Sequence, residues 1–417
     1  MLFLHISDLH LGKVLHGVSM LENGDQPHWV DSFLELTEEL RPKAVLISGD
    51  VYDRGSPSGD AVALLSHLVQ GLAAQNICVL LIAGNHDSGQ RLAFARDILS
   101  LHNVHIAGTV TPSLIKVPLY DDYGPVTFWL MPYVFPAAVA QVLCDDTIRD
   151  YDTAVRRLLD AQEINTDERN VIVAHQNVTA FGAEAPRGGS ETAVGGVGQV
   201  DFSAFDAFDY VALGHIHAAY PVGREAVRYA GSPMCYHFNE TRQEAKGPLL
   251  IEMKEKGAPL RIETLAIPPL HSMREMKGAF EELRELELAR NCRDEYLRLV
   301  LTDQPVTPEI SDFFQSLAEQ RGSVLMERVS EFSRYAEEVS GTDLQAVRQR
   351  TVEGLFSDFF ADRSGGSMPD EEDLALLHEA GELLRNRQPD QLHRSAVDDK
   401  TAEALLKYLL EQEDAEV

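Results

Sequence analysis

Five short segments of this chain carry side chains that can ligate a metal: Asp8-Leu9-His10, Gly49-Asp50, Gly84-Asn85-His86-Asp87, Ala174-His175 and Gly214-His215-Ile216-His217. Between them they supply carboxylates, imidazoles and an amide oxygen, enough donors for two ions. Asp8 and His10 lie two apart, as do His215 and His217, so each pair can point to one side of an extended backbone and grip one ion. Such a mixed oxygen and nitrogen set suits Mn²⁺, Fe²⁺ or Zn²⁺ better than Mg²⁺, which favours oxygen shells and keeps its waters. A carboxylate such as Asp50 can bridge two ions about 3.5–4 Å apart, the spacing at which both the attacking and the leaving oxygen of a phosphoryl displacement are stabilised. Taken singly, each segment could be a structural strand end. All five together are hard to explain that way.

The elements that must position these groups are legible as apolar runs. Strands are expected at Leu2–Ile6, Lys43–Ser48, Ile77–Ala83, Val126–Met131, Val171–Ala174, Tyr210–Leu213, Val227–Ala230 and Leu249–Met253, with helices at Pro27–Leu40, Ser58–Ala74 and Thr147–Ala161. Each metal-ligating segment follows one of these strands directly, at the C-terminal end where α/β sheets place their sites. The strands are apolar throughout and therefore buried on both faces. Glycines ahead of Asp50, Asn85 and His215 permit tight turns and close backbone approach. The late strands lack intervening helices, so part of the sheet is expected to be antiparallel.

The 417 residues contain 36 Lys+Arg against 66 Asp+Glu, a net charge of −30, with 44% hydrophobic residues. That composition fits a folded soluble chain and argues against a free-standing polybasic binder of nucleic acid or membrane. Cys78, Cys144, Cys235 and Cys292 stand far apart, so neither a disulfide framework nor a thiolate metal site is expected. The first residues lack the basic and apolar regions of a secretory signal, and the most apolar stretch, residues 61–84, is interrupted by polar residues. A cytoplasmic protein without a membrane span is the expectation.

In order and type, the five segments resemble the motifs of calcineurin-like metallophosphoesterases. Three further stretches, Ser7-Asp8-Leu9-His10-Leu11-Gly12-Lys13, the run from Asp209 to His217, and Tyr229-Ala230-Gly231-Ser232-Pro233, resemble the nuclease subunits of bacterial SbcCD-type exonucleases. The likeness implies an α/β sandwich of mixed sheets flanked by helices, α+β in part, over residues 1–267. It implies that Asp8, His10, Asp50 and His217 hold one metal and that Asp50, Asn85, His175 and His215 hold the other, with manganese preferred. His86 would then act beside the scissile phosphate as proton donor or charge stabiliser, oriented by a carboxylate, either Asp53 or Asp87. The implied substrate is DNA, cut as 3′–5′ exonuclease and single-strand endonuclease during repair and recombination. The implied partners are an SbcC-type ABC ATPase and a second copy of the chain in a heterotetramer.

Two features of the sequence bear on rivals. Gly49-Asp50-Val51-Tyr52-Asp53-Arg54-Gly55 also resembles a signature of serine/threonine protein phosphatases, whose arginine binds phosphate, although those enzymes carry Asn-His-Glu where this chain has Asn85-His86-Asp87. The same motifs would also suit a small-molecule phosphodiesterase or a non-catalytic scaffold of the same fold. No Walker-type loop is present, so any use of ATP must come from a partner. Lys13, Arg54 and Arg91 follow metal motifs closely enough to face phosphates.

Beyond Pro268 the pattern changes. A helix at Met276–Ala289, a strand at Tyr296–Thr302, a helix at Pro308–Gln320 and a strand at Ser323–Val329 predict a small α+β cap or DNA-recognition domain at 268–340. Residues 341–417 read as helical, with apolar stripes at Leu344–Phe360 and Glu371–Arg387 that either pack on the chain's own α+β domain or, as the resemblance implies, dock on the ATPase. The Gly- and Ala-rich stretch Ala183–Gly198 reads as a long loop with a substrate or partner role or none.

Overall fold

The computed structural model describes residues 1–180, 198–242 and 246–331; most of the Ala183–Gly198 loop and the whole 341–417 region lie outside them. Two six-stranded sheets form the core. The first runs Arg261–Thr264, Leu249–Glu252, Leu2–Ile6, Ala44–Ser48, Cys78–Ile82, Val104–Ala107, and the second runs Pro221–Val222, Arg224–Tyr229, Tyr210–Gly214, Arg169–His175, Gly124–Met131, Ile115–Asp121.

Strand alternation sorts the apolar side chains into layers. Phe3, Leu46 and Leu80 face inward and pack with Phe128, Leu130, Val171 and Tyr210 of the opposite sheet. Leu4, Ile6, Val45, Ile47, Val79 and Leu81 face outward against Trp29, Phe33, Leu65 and Leu68 of the helices Asp25–Leu40 and Gly59–Ala74. On the far side, Trp129, Ile172 and Val211 pack under Val139, Val155 and Leu158, carried by the helices Pro136–Leu143 and Tyr151–Asp160. The result is a helix–sheet–sheet–helix sandwich, the fold class the resemblance implied.

The central strands are parallel: Leu2–Ile6 pairs with Ala44–Ser48, which pairs with Cys78–Ile82, and Arg169–His175 pairs with Tyr210–Gly214. The expected antiparallel part appears at the sheet edges: Leu249–Glu252 pairs antiparallel with Leu2–Ile6 and with Arg261–Thr264, Ile115–Asp121 with Gly124–Met131, and Pro221–Val222 with Arg224–Tyr229. Arg224–Tyr229, by contrast, is parallel to Tyr210–Gly214. The expected helix Thr147–Ala161 starts later, at Tyr151, because the Asp150 carboxylate accepts from the Thr153 amide and fixes the first turn there.

Residues 272–330 build a three-stranded parallel sheet, Ser272–Gly278, Glu295–Leu301 and Val324–Ser330, with helices Phe280–Ala289 and Pro308–Glu319. The expected helix from Met276 is corrected here: Met276 to Gly278 finish a strand, their backbone paired with Leu299 to Leu301, and the helix begins at Phe280. This subdomain has its own apolar cluster of Met276, Leu283, Leu297, Leu299, Phe314 and Leu325. It meets the sandwich through Tyr296 and Met326, packed with Leu15, Met20, Tyr236 and Phe238. Tyr296 also donates to Asp25 at 2.5 Å and accepts from Asn23 at 2.7 Å, while His271 contacts the other Asp25 oxygen at 2.9 Å.

Candidate metal centre

The C-terminal ends of the parallel strands in both sheets meet at one place. Just beyond the strands the backbones stay zipped: Asp8 N–H donates to Gly49 O at 3.1 Å, His10 N–H to Asp50 O at 2.9 Å and Leu11 N–H to Val51 O at 2.9 Å. The two sheets are joined here by Ser48, whose hydroxyl donates to Ala212 O at 3.1 Å and whose carbonyl accepts from His175 Nδ1 at 2.7 Å.

Close approach explains the glycines. A Cβ on Gly84 would lie 2.1 Å from Asp50 Oδ1, one on Gly49 2.4 Å from His175 Nδ1, and one on Gly214 1.9 Å from Ser48 O. Four of the seven ligand-bearing residues take positive-φ backbone, with φ of 54° at Asp8, 43° at His10, 48° at Asp50 and 104° at His215. Non-glycine residues hold such conformations at a cost of order 1–3 kcal/mol each, and the surrounding ladder must impose them.

The side chains so placed converge. Donor atoms of Asp8, His10 and His217 fall within 4.8 Å of one another, as do those of Asp8, Asp50 and His175, and those of His10, Asp50 and His86. Asp50 Oδ2 is the hub, 3.7 Å from His10 Nε2 and 3.4 Å from His175 Nε2. His10 Nε2 and His217 Nε2 are 3.1 Å apart. Asn85 Oδ1 sits between His175 Nε2 at 3.1 Å and His215 Nδ1 at 3.0 Å. All seven sequence-expected metal residues are therefore brought to one centre, in two halves that share Asp50.

The donor set fits divalent cations. Asp50 Oδ2 is buried without a hydrogen-bond partner, and an orphaned carboxylate oxygen facing two imidazole nitrogens is an arrangement that a cation satisfies. His175 gives its Nδ1 proton to Ser48 O, which directs the lone pair of Nε2 into the centre. His10 is held neutral: burial, aided by His217, Lys13 and His86, outweighs Asp50 and puts its pKa well below 6.5. Burial opposes charge on Asp50 and His175 as well, but their mutual attraction prevails. The Asp50 carboxyl stays far below the usual carboxylate range, and His175 is raised to about 9. An entering cation must displace that His175 proton.

His86 lies at the open edge, its side chain 37% exposed, with Nε2 4.0 Å from Asp50 Oδ2. The expected orienting carboxylate is corrected by the structure. His86 Nδ1 is held by the main-chain carbonyl of Asp53, at 3.1 Å. The Asp53 carboxylate instead pairs with Lys13 at 2.9 Å. Asp87 accepts from the amides of Val51, Tyr52 and Gly84 at 2.9–3.0 Å, which clasps two motif loops together. Burial and the nearby Asp50 raise its pKa against those three donors. The His86 ring reaches the Asp53 main chain before either carboxylate because both carboxylates are already committed.

Of the three cations singled out, Lys13 is tied to Asp53 and Arg91 to Gly55 O and Ser56 Oγ. Arg54, 69% exposed, still lies 3.6 Å from Asp53 Oδ2.

The family model for calcineurin-like phosphoesterases matches residues 1–219. The chain belongs to that family. Members hydrolyse phosphoesters with divalent metals, and Asp8, His10, Asp50, His217, Asn85, His175 and His215 are the residues of this phosphoesterase that would hold them. Bound ions supply Lewis-acid stabilisation of developing negative charge and a nucleophile at neutral pH. Among the described residues no helix is long and apolar enough to cross a membrane.

The sequence did not point to the shell that holds these ligands. Glu240, 1% exposed, contacts His217 Nδ1 at 3.3 Å and pairs with Lys246 Nζ at 2.8 Å. Lys246 donates further to His217 O and Ser232 Oγ, both at 2.7 Å. Burial alone would raise the Glu240 carboxyl, yet His217 and Lys246 pull it down to about 2. Gln26, also buried, accepts from Gly12 N–H and donates to His10 O at 2.8 Å. The sequence signal for Glu240 is weak: a charged residue two and four places after Phe238 and Tyr236.

Proposed function

We propose that this phosphoesterase is a DNA nuclease, the catalytic subunit of an SbcCD-type complex, working with Mn²⁺. The observation that carries the reading is where the three narrower sequence stretches meet. Ser7 Oγ donates to Gly231 O at 3.0 Å, and Ser232 N–H donates to His217 O at 3.1 Å. Residues 7–13, 209–217 and 229–233 thus form one structural unit behind the His10–His217 half of the centre. Their resemblance to SbcCD-type nucleases therefore concerns the catalytic neighbourhood itself.

Within that reading, Asp50 joins the two halves of the centre and His86, anchored at Nδ1, stands at the solvent-facing edge where a scissile phosphate enters. Positioned groups of this kind contribute about 10²–10⁴-fold. The exposed apolar side chains Phe94, Ile98 and Leu101, at 81%, 64% and 79%, support a dimer. The ATPase partner remains a proposal from the sequence, since the 341–417 region expected to dock it lies outside the described residues.

The test is a parallel assay of labelled single-stranded and duplex DNA, a para-nitrophenyl phosphodiester and a phosphopeptide, each with Mn²⁺ and with EDTA. Mn²⁺-dependent preference for DNA is expected. Preference for the phosphopeptide would hand the site to the protein-phosphatase reading, and preference for the small diester to a small-molecule phosphodiesterase.

A further inference from the structure

An aromatic path leads away from the second half of the centre. The Tyr133 ring lies 6.1 Å from that of His175 and 6.2 Å from that of His215, centroid to centroid. Phe135 meets Tyr133 edge-on at 4.7 Å. Tyr133 is half-buried, whereas Phe135 is 52% exposed. Phe135 is also the residue before the helix Pro136–Leu143, so its backbone is pinned by Ala138 and Val139 N–H groups donating to its carbonyl. A large apolar ring left in water on a fixed backbone, two ring contacts from metal-ligating histidines, is poor packing but a good platform.

The ring borders an open groove of about 700 Å³, lined by Phe135, Pro136, Ala140, Gln141, Asp146 and Arg149, within the roughly 300–1,000 Å³ range of ligand clefts. Its chemistry selects among parts of a nucleotide. Asp146 and Arg149 balance each other in charge, so the groove has no net pull on a phosphate, and Phe135 is the aromatic face among its lining residues. Gln141 and Asp146 can hydrogen-bond a base edge, the carboxylate accepting from an exocyclic amine.

From this geometry we infer that the groove is a nucleobase subsite: an unpaired base near the scissile phosphate stacks on Phe135, while the phosphate stays at the metal centre. The assignment rests on the nuclease reading above and narrows it to substrates with an unstacked base, that is, single strands or frayed ends. Base–aromatic stacking is sequence-tolerant because every base has a π-face.

Phe135→Ala and Phe135→Trp test it. Binding of a labelled single-stranded oligonucleotide is measured by fluorescence anisotropy in EDTA, beside cleavage with Mn²⁺ of oligonucleotides in which one abasic position is scanned along the strand. The alanine variant should weaken binding by about 5- to 100-fold, with the tryptophan variant restoring it and with metal content unchanged. One abasic position should slow the unaltered protein and leave the alanine variant no slower than on intact DNA. Wild-type binding and cleavage by Phe135→Ala would overturn the subsite and leave the nuclease reading standing. A binding loss in a protein that cleaves no DNA would keep the subsite and sink the nuclease reading.

Discussion

At the scale of single residues, the centre depends on a carboxylate that is not itself a ligand. Glu240 receives the Nδ1 side of His217 and is held in turn by Lys246 and by the Ser232 hydroxyl at 3.3 Å. This fixes the His217 tautomer that leaves Nε2 facing His10. Partners of that kind typically change metal affinity by about 10–100-fold when removed. Glu240→Gln keeps the shape but loses the charge that Lys246 and His217 require. The variant should bind one Mn²⁺ more weakly by about that factor, and the second ion, on the Asn85–His175–His215 side, as before. Calorimetric titration resolves the two events, and two unchanged affinities would show that Glu240 serves only the packing of its loop.

At the scale of elements, what was legible and what was not follow from range. The strands announced themselves because Ala44–Ser48, Cys78–Ile82 and Tyr210–Gly214 are buried on both faces, which demands unbroken apolar runs. The seven residues that converge on the centre were legible as candidates because each follows such a run closely. The Ser272–Gly278 strand was not, since Met276, Lys277 and Gly278 read as the start of a charged helix and only pairing with Glu295–Leu301 makes them the end of a strand. Arg274 spends its charge on Glu287 and Glu295, at 2.7 and 2.8 Å, a fact that exists only once the chain has folded. Asp53 and Asp87 mislead for a similar reason: their type and nearness to His86 in sequence say nothing of the amides and the lysine that claim them first. Gly214 supplies a prediction at this scale. Ser48 O and His175 Nδ1 lie 1.9 and 2.8 Å from where its Cβ would stand, and backbone cannot yield as a flexible side chain can. Gly214→Ala should therefore lower the melting temperature and cut bound metal below two per chain, whereas Gly59→Ala, with open space around it, should alter neither.

At the scale of the whole molecule, the difficulty is charge. A chain of net charge −30 repels a polyanion over distances up to the Debye length, about 8 Å at physiological ionic strength, so under the proposed nuclease function contact with DNA must be local or shared with other chains. Self-association offers one route, because two copies present two centres to one duplex. Its surface is suggested by Phe94, Ile98 and Leu101, three large side chains within eight residues that are each more than 60% exposed. Scattered apolar residues on a surface are ordinary, but a cluster of this kind marks an interaction site. The segment follows Arg91, which braces Gly55 and Ser56, and precedes the edge strand Val104–Ala107. A charge placed in the patch cannot be buried without a large penalty, while in the monomer it would simply be solvated. Ile98→Lys should accordingly halve the mass measured by light scattering at micromolar concentration and leave the metal count at two per chain. A mass that does not change would mean that this patch is no self-association surface, and a fall in metal content would mean that the segment supports the centre instead.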